Sequence, residues 1–130
     1  MEAKFRELDR SGFLRYVFDY EHNSTWKYQG LLPCLIDFHD EACPPCQALE
    51  PELRKTAEAY GNQLLFYRVD FEKESQLAAE LGIRDLPTLV LCPLDGKPLI
   101  MQGATSMERL MEIIERELNL KGKNYNDQDW

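Results

Sequence analysis

Two cysteines separated by two prolines, Cys43 and Cys46, are the residues of this sequence best suited to chemistry. They follow a short apolar stretch, residues 35–38, that contains a single acid, Asp37. A strand that ends just before a dithiol, with the dithiol opening a helix, is the arrangement of a thiol–disulfide redox site. Half of a zinc site has the same spacing, so the cysteine pair alone does not decide the chemistry.

The two cysteines of a redox site would have different tasks. We expect Cys43 to be the attacking thiolate, because the dipole of a helix favours negative charge just ahead of its first turn. Cys46 lies three residues later on the same face, within bonding reach, and can resolve a mixed disulfide. Pro44 and Pro45 fit the first helical turn, but they remove two N–H donors that could have faced the thiolate.

A metal site is the main alternative for this segment. His39, Cys43 and Cys46 could supply three zinc ligands, but no fourth ligand stands at a recognisable spacing. We therefore expect neither a metal nor another cofactor.

Asp37 is the second candidate for chemistry, because Ile36 and Phe38 flank it in an apolar strand. An isolated carboxylate is costly to bury, so we expect the pKa of Asp37 to be raised. The alternative is an aspartate that faces solvent at the end of a strand.

The elements that must position these residues follow from the spacing of apolar residues. Residues 35–38 are nearly all apolar, which suits a central strand covered on both faces. Two crossovers predict parallel strands, and a hairpin turn at 93–97 adds an antiparallel pair. The predicted elements are a weak strand over 5–8, a helix over 12–20 capped by Ser11, strands over 35–38, 64–70, 88–92 and 98–103, and helices over 46–60, 77–81 and from the cap Ser106 to 118.

Composition limits the class of protein. The chain of 130 residues suits one domain, which we place at residues 1–119, followed by a polar tail at 120–130. A net charge of −8 argues against binding to nucleic acid or to anionic membranes. No apolar run approaches the roughly 18 residues needed to span a bilayer, and no signal peptide is visible. We expect a cytoplasmic protein, although a periplasmic chain trimmed of its signal peptide would look the same.

Together these motifs resemble the thioredoxin family over residues 4–119. The acid stands six residues before the first cysteine of a Cys-x-x-Cys motif, as in that family. Pro51 matches the proline that kinks the family's second helix, and Arg68 stands where the family usually has lysine. Pro87 falls in a segment similar to the loop of the family's cis-proline, and Gly103 matches the glycine after the last strand.

The resemblance implies an α/β thioredoxin fold, a central mixed five-stranded sheet flanked by helices. It implies a thiol–disulfide oxidoreductase that reduces protein disulfides by dithiol–disulfide exchange. Its partners would be disulfide-containing protein substrates and a thioredoxin-reductase-like electron donor, and the protein would be a monomer. Two alternatives stay open: a disulfide oxidase or isomerase of an oxidising compartment, and a binding module of the same fold without turnover.

The resemblance also implies roles for individual residues. Asp37 would take the proton of Cys46 when that cysteine attacks the mixed disulfide. The peptide bond before the loop proline would be cis and face Cys43, and the backbone of the preceding leucine would pair with an extended substrate segment. The implied substrate-binding residues are Leu86, Pro87, Ala42, Pro44 and Gly103.

Several positions depart from the family pattern. Ala42 replaces the family's tryptophan, His39 replaces an aromatic residue, and the loop over 20–32 is longer than in a minimal thioredoxin. His39 either fills the place of the aromatic residue or, when protonated, helps to hold Cys43 as thiolate. The Pro-Pro dipeptide between the cysteines offers fewer donors to the thiolate, which favours a reducing pair.

Cys34 and Cys92 lie in apolar stretches outside the motif. We expect them to be small buried residues rather than redox partners. The fold would place them on antiparallel neighbouring strands, where they come close but rarely reach good disulfide geometry. We therefore predict that both stay reduced.

Overall fold

The computed structural model describes residues 5–122, which form a five-stranded sheet flanked by four helices. The order of strands and helices along the chain is the predicted one. In chain order the elements are β1 (Arg6–Glu7), α1 (Arg10–Tyr16), β2 (Cys34–His39), α2 (Pro44–Tyr60), a 3₁₀ turn (Gly61–Gln63), β3 (Leu65–Asp70), α3 (Ser75–Leu81), β4 (Thr88–Cys92), β5 (Leu99–Gln102) and α4 (Met107–Leu118).

The sheet is mixed, and β2 occupies its centre in the strand order β1-β3-β2-β4-β5. Strand β2 pairs in parallel with β3 and antiparallel with β4, while the β4–β5 hairpin forms the far edge. All six residues of β2 except His39 are buried, as expected for a strand covered on both faces. The predicted mixed five-stranded sheet is confirmed.

Hydrophobic clusters cover the two faces of the sheet. Because side chains alternate along a strand, Ile36 and Phe38 pack on the face covered by α1 and α3, and Leu35 packs on the face of α2 and α4. The same alternation places Asp37 on the α2 and α4 side, so its carboxyl group points towards the helix that begins at the dithiol.

The first helix differs most from its prediction. It covers Arg10–Tyr16 instead of 12–20, and its cap is Asp9, whose carboxylate accepts the N–H of Gly12 at 2.7 Å, rather than Ser11. The helix ends early because the N–H groups of Val17 and Phe18 both reach the carbonyl of Phe13. The loop that follows then folds back over the sheet.

Two aromatic residues of that loop, Tyr28 and Trp26, pack against the core. Tyr28 is buried, and its hydroxyl donates to the carbonyl of Leu32 at 2.5 Å. Trp26 is partly buried against Phe18, with 4.8 Å between the ring centroids. The predicted polar tail, with Trp130, lies almost wholly outside the described residues.

Candidate active site

The dithiol stands at the first turn of α2, where Cys43 is the residue that caps the helix. Cys43 has extended backbone angles, and its sulfur accepts the N–H of Cys46 at 3.1 Å. The two cysteines form a disulfide with their Cα atoms 5.2 Å apart. Cys43 is partly exposed, whereas Cys46 is buried, with only 7% of its surface exposed to solvent. An incoming disulfide can therefore approach Cys43, while Cys46 is sheltered.

The turn before α2 is built by local hydrogen bonds. The carboxylate of Asp40 accepts the N–H of Ala42 at 3.0 Å, and its carbonyl accepts the N–H of Cys43 at 3.1 Å. Pro44 and Pro45 occupy the first two helical positions, so α2 begins two residues earlier than predicted. Proline fits there because the first N–H groups of a helix have no partner within it.

Only one of the first three positions after Cys43 therefore keeps an N–H, that of Cys46, and it points at the sulfur of Cys43. The predicted shortage of donors around this sulfur is confirmed. A thiolate here would be stabilised by one backbone N–H and by the helix dipole.

Asp37 is buried, with 3% of its surface exposed. Burial raises its pKa to about 7, against the attraction of the Arg68 guanidinium and with help from the negative charges of Glu50 and Glu7. The solvent-facing alternative is therefore wrong, and the predicted rise in pKa is confirmed. A carboxyl group with this pKa exchanges its proton near neutral pH.

Arg68 joins Asp37 to a residue that sequence reasoning missed. Its Nε atom lies 3.7 Å from Oδ2 of Asp37, while its two terminal nitrogens donate to both carboxylate oxygens of Glu50 at 3.0 and 3.2 Å. Glu50 in turn accepts from Arg54 at 3.1 Å. Glu50 lies one helical turn after Cys46, and this i, i+4 spacing was the available sign that both face the same way.

The peptide bond before the loop proline has the cis form that the resemblance implied. The Leu86–Pro87 bond is cis, Pro87 is buried and Leu86 is partly buried. Gly103, with φ +91°, donates its N–H to the carbonyl of Pro87 at 2.9 Å, so these two predicted substrate-binding residues lie together. Ala42 and Pro44 are exposed beside Cys43. Within residues 5–122, the backbone N–H and C=O of Leu86 have no hydrogen-bond partner.

His39 is partly buried at the end of β2. Burial, followed by the positive charge of Arg68, lowers its pKa below the ordinary value of 6.5, so the ring is neutral at neutral pH. Its Nε2 atom is buried and finds no partner in the described part of the chain. The structure therefore favours a histidine that fills the place of an aromatic residue, not a cation that stabilises the Cys43 thiolate.

Cys34 and Cys92 are direct partners across the β2–β4 ladder, as their predicted strand positions suggested. Both are fully buried free thiols. A hydrogen bond with Cys34, followed by burial, raises the pKa of the Cys92 thiol. The pair lies on the α1 and α3 side of the sheet, at the end of β2 away from the dithiol.

Residues 5–122 contain neither a metal-binding cluster of side chains nor a helix suited to a membrane. Nowhere in this range do three or more His, Cys, Asp or Glu side chains come together as a possible metal site. The helices in the same range are too short or too polar to cross a bilayer.

Known sequences match most of the chain. The thioredoxin sequence family matches residues 21–116. A thioredoxin of Borreliella burgdorferi is 35% identical over 108 residues, which are 83% of this chain and 92% of the relative. Thioredoxin 1 of a Nostoc species is 29% identical over 99 residues, or 74% of this chain and 92% of that protein.

Solved thioredoxin structures also resemble this chain. Chloroplastic thioredoxin z has a TM-score of 0.72 at 23% identity, over 89% of this chain and 96% of its own, and shows the shared fold. The Malassezia sympodialis thioredoxin Mala s 13 has a TM-score of 0.68 at 26% identity, over 88% and 90%. With the cysteine pair at the start of α2, these matches show that the chain belongs to the thioredoxin family and is a thiol–disulfide oxidoreductase.

Proposed function

We propose that this protein reduces disulfide bonds of other proteins, with Cys43 as the nucleophile and Cys46 as the resolving thiol. The observation that carries the proposal is the difference in exposure between the two cysteines: Cys43 is accessible and Cys46 is buried beside it. An accessible sulfur can attack a large substrate, whereas a buried one can react only with its neighbour.

The reaction proceeds in two exchanges. The Cys43 thiolate attacks one sulfur of the substrate disulfide, which forms a mixed disulfide and releases the other substrate sulfur as a thiolate. Cys46 then attacks Cys43, which forms the Cys43–Cys46 disulfide and releases the second substrate thiolate. The substrate gains two electrons and the protein loses two, which a thioredoxin-reductase-like donor must return.

Asp37 is the proposed acceptor of the Cys46 proton in the second exchange. A buried thiol must lose its proton before it can attack, and water has limited access to Cys46. The carboxyl group of Asp37 has a pKa of about 7, so it can take a proton at neutral pH and later release it.

The proposed substrate contacts come from the start of α2 and from the proline loop before β4. Ala42 and Pro44 offer an exposed surface on either side of the sulfur. Leu86 would pair through its backbone groups with an extended substrate segment, because those groups are without partners within residues 5–122. Pro87 and Gly103 would shape the floor of this contact, since they are hydrogen-bonded to each other.

A monomer suffices for this chemistry, because one chain supplies both cysteines, the acid and the proline loop. We propose a single catalytic domain over residues 1–119, and a cytoplasmic location, where protein disulfides are kept reduced. The net charge of −8 supports protein partners over nucleic acid.

Insulin reduction by dithiothreitol tests the proposal and separates an enzyme from a binding module. The wild-type protein should accelerate the reaction, Cys43→Ser should abolish the acceleration, and Cys46→Ser should accumulate covalent substrate complexes on non-reducing gels. Undiminished turnover in Cys43→Ser would refute the assigned nucleophile, and no turnover by the wild type would favour the binding module.

The redox potential tests the direction of the reaction. We expect a value nearer the roughly −270 mV of thioredoxin than the roughly −120 mV of the strong periplasmic oxidant. One N–H donor and a neutral His39 leave the Cys43 thiolate weakly stabilised, which favours a reducing pair. Equilibration with glutathione, followed by alkylation, gives the value. A potential above about −180 mV would indicate an oxidase or isomerase instead.

A further inference from the structure

The ion pair between Glu50 and Arg68 lies next to the buried carboxyl group of Asp37. Arg68 uses both terminal nitrogens on the two carboxylate oxygens of Glu50, at 3.0 and 3.2 Å, and only its Nε is left near Asp37, at 3.7 Å. That Nε is buried and has no hydrogen-bond partner in the described part of the chain. The guanidinium of Arg68 therefore binds Glu50 through two hydrogen bonds and makes only a longer electrostatic contact with Asp37.

We propose that Glu50 is a positioning residue for the second exchange: it holds the guanidinium of Arg68 and thereby sets how firmly Asp37 holds a proton. The inference rests on the proposed proton-accepting role of Asp37. It concerns the release step, in which the Cys46 thiol passes its proton to Asp37 as its sulfur attacks Cys43 and the substrate thiolate leaves.

The geometry explains how Glu50 acts. Planar guanidinium groups bind carboxylates best through two parallel hydrogen bonds, and Glu50 occupies that position instead of Asp37. Without the Glu50 carboxylate, Arg68 would be free to turn towards Asp37. Glu50 also repels a negative charge on Asp37 directly, and this works in the same direction. Both effects help Asp37 to keep a proton near neutral pH.

The other groups around Asp37 do not replace Glu50. The charges that act on it are Arg68 on β3, Glu50 on α2 and Glu7 on β1. Its direct partner on β4 is Leu89, which is apolar. Glu7 is exposed on the two-residue strand β1, so water screens its charge more than that of the half-covered Glu50.

The variant Glu50→Gln tests the proposal, with Glu58→Gln as its matched control. Glu58 is exposed two turns further along α2, so its variant changes the net charge of the same helix by the same amount. Carboxyl ¹³C NMR of the reduced protein would give the pKa of Asp37. We expect Glu50→Gln to lower it by about one pH unit, at the low end of the effect of a nearby cation, and Glu58→Gln to leave it in place.

Kinetics supplies the second readout. Single-turnover reduction of an excess of a cyclic peptide disulfide, quenched with acid and followed by chromatography of the released dithiol peptide, would give the release rate against pH. The acid limb of this profile should move down in Glu50→Gln by the same amount as the pKa of Asp37. A merely structural role for the ion pair would change the unfolding midpoint and move neither quantity.

The variant Arg68→Met tests whether Arg68 carries the effect, because methionine keeps much of the apolar stem without the charge. In that background Glu50→Gln should shift the pKa of Asp37 by less than half as much as in the wild type. Equal shifts in both backgrounds would overturn the role of Arg68.

The remaining outcomes separate this inference from the proposed function. An Asp37 pKa that does not move in Glu50→Gln would overturn the inference. A pKa that falls while the acid limb of the release rate stays in place would support the effect of Glu50 on Asp37, and would overturn the proton-accepting role of Asp37 instead.

Discussion

Replacing Asp37 by asparagine should stabilise the protein, and the gain should depend on pH. The carboxyl group is 3% exposed, and its pKa rises from 3.8 to about 7 on folding. The folded state therefore resists ionisation of Asp37. The resulting loss of folding stability in the wild type is absent below about pH 4, grows between about pH 4 and 7, and is complete above about pH 7.

The size of the effect follows from the change in pKa. A difference of about three pH units, at about 1.4 kcal/mol each, corresponds to about 4 kcal/mol of lost stability above pH 7. The asparagine side chain would carry no charge, and Arg68 would keep its two hydrogen bonds to Glu50. Asp37→Asn should thus exceed the wild type by about 1 kcal/mol at pH 4.5 and by about 4 kcal/mol at pH 8.5.

Urea unfolding of the oxidised proteins between pH 4.5 and 8.5 would measure this difference. The control is Asp95→Asn, which removes an exposed carboxylate from the β4–β5 turn and keeps a residue that suits a turn before glycine. Its stability should follow the wild type at every pH. If the curves of Asp37→Asn and wild type also ran parallel, the carboxyl group would not be held in the costly environment that the structure shows.

Three further predictions concern stability and thiols. Oxidised protein unfolded in guanidinium should show two free thiols, Cys34 and Cys92, and a count of zero would refute their reduced state. Gly30→Ala should lower the unfolding free energy by about 1–3 kcal/mol, because a Cβ atom there would collide with the Tyr28 ring and hydroxyl; unchanged urea midpoints would contradict this close approach. Ser106→Ala should cost about 1 kcal/mol at every pH, because its hydroxyl caps α4 through the N–H of Arg109; thermal unfolding at two pH values would reveal any other behaviour.

The fold could be predicted because the period of apolar residues changes clearly between strands and helices. The residues at which the helices begin were harder to predict. Asp9 and Ser11 are both good helix caps, and only the folded chain shows that the Asp9 carboxylate reaches Gly12. Likewise, the start of α2 depended on whether the prolines lie inside the helix, which the sequence allowed but did not require.

The site could be predicted in part. The burial of Asp37 followed from its apolar neighbours, and the closeness of Cys34 to Cys92 followed from strand order. The contact between Glu50 and Arg68 could not be foreseen, because it joins a helix to a strand 18 residues away and both side chains would be at home in solvent. The protonation of His39 could not be predicted either, since it depends on burial and on the charge of Arg68, which together lower its pKa.

The central strand keeps two sets of thiols apart. Cys34 begins β2, whereas Cys43 lies beyond its far end, and the strand alone spans about 17 Å. Exchange between the two sets would require the sheet to open. Alkylation of the reduced protein should therefore be fast at Cys43 and should reach the Cys34 and Cys92 pair only at the rate of global opening. The alkylation rate of these two buried cysteines thus reports the rate of global opening, and mass spectrometry of the alkylated protein can measure it without an engineered probe.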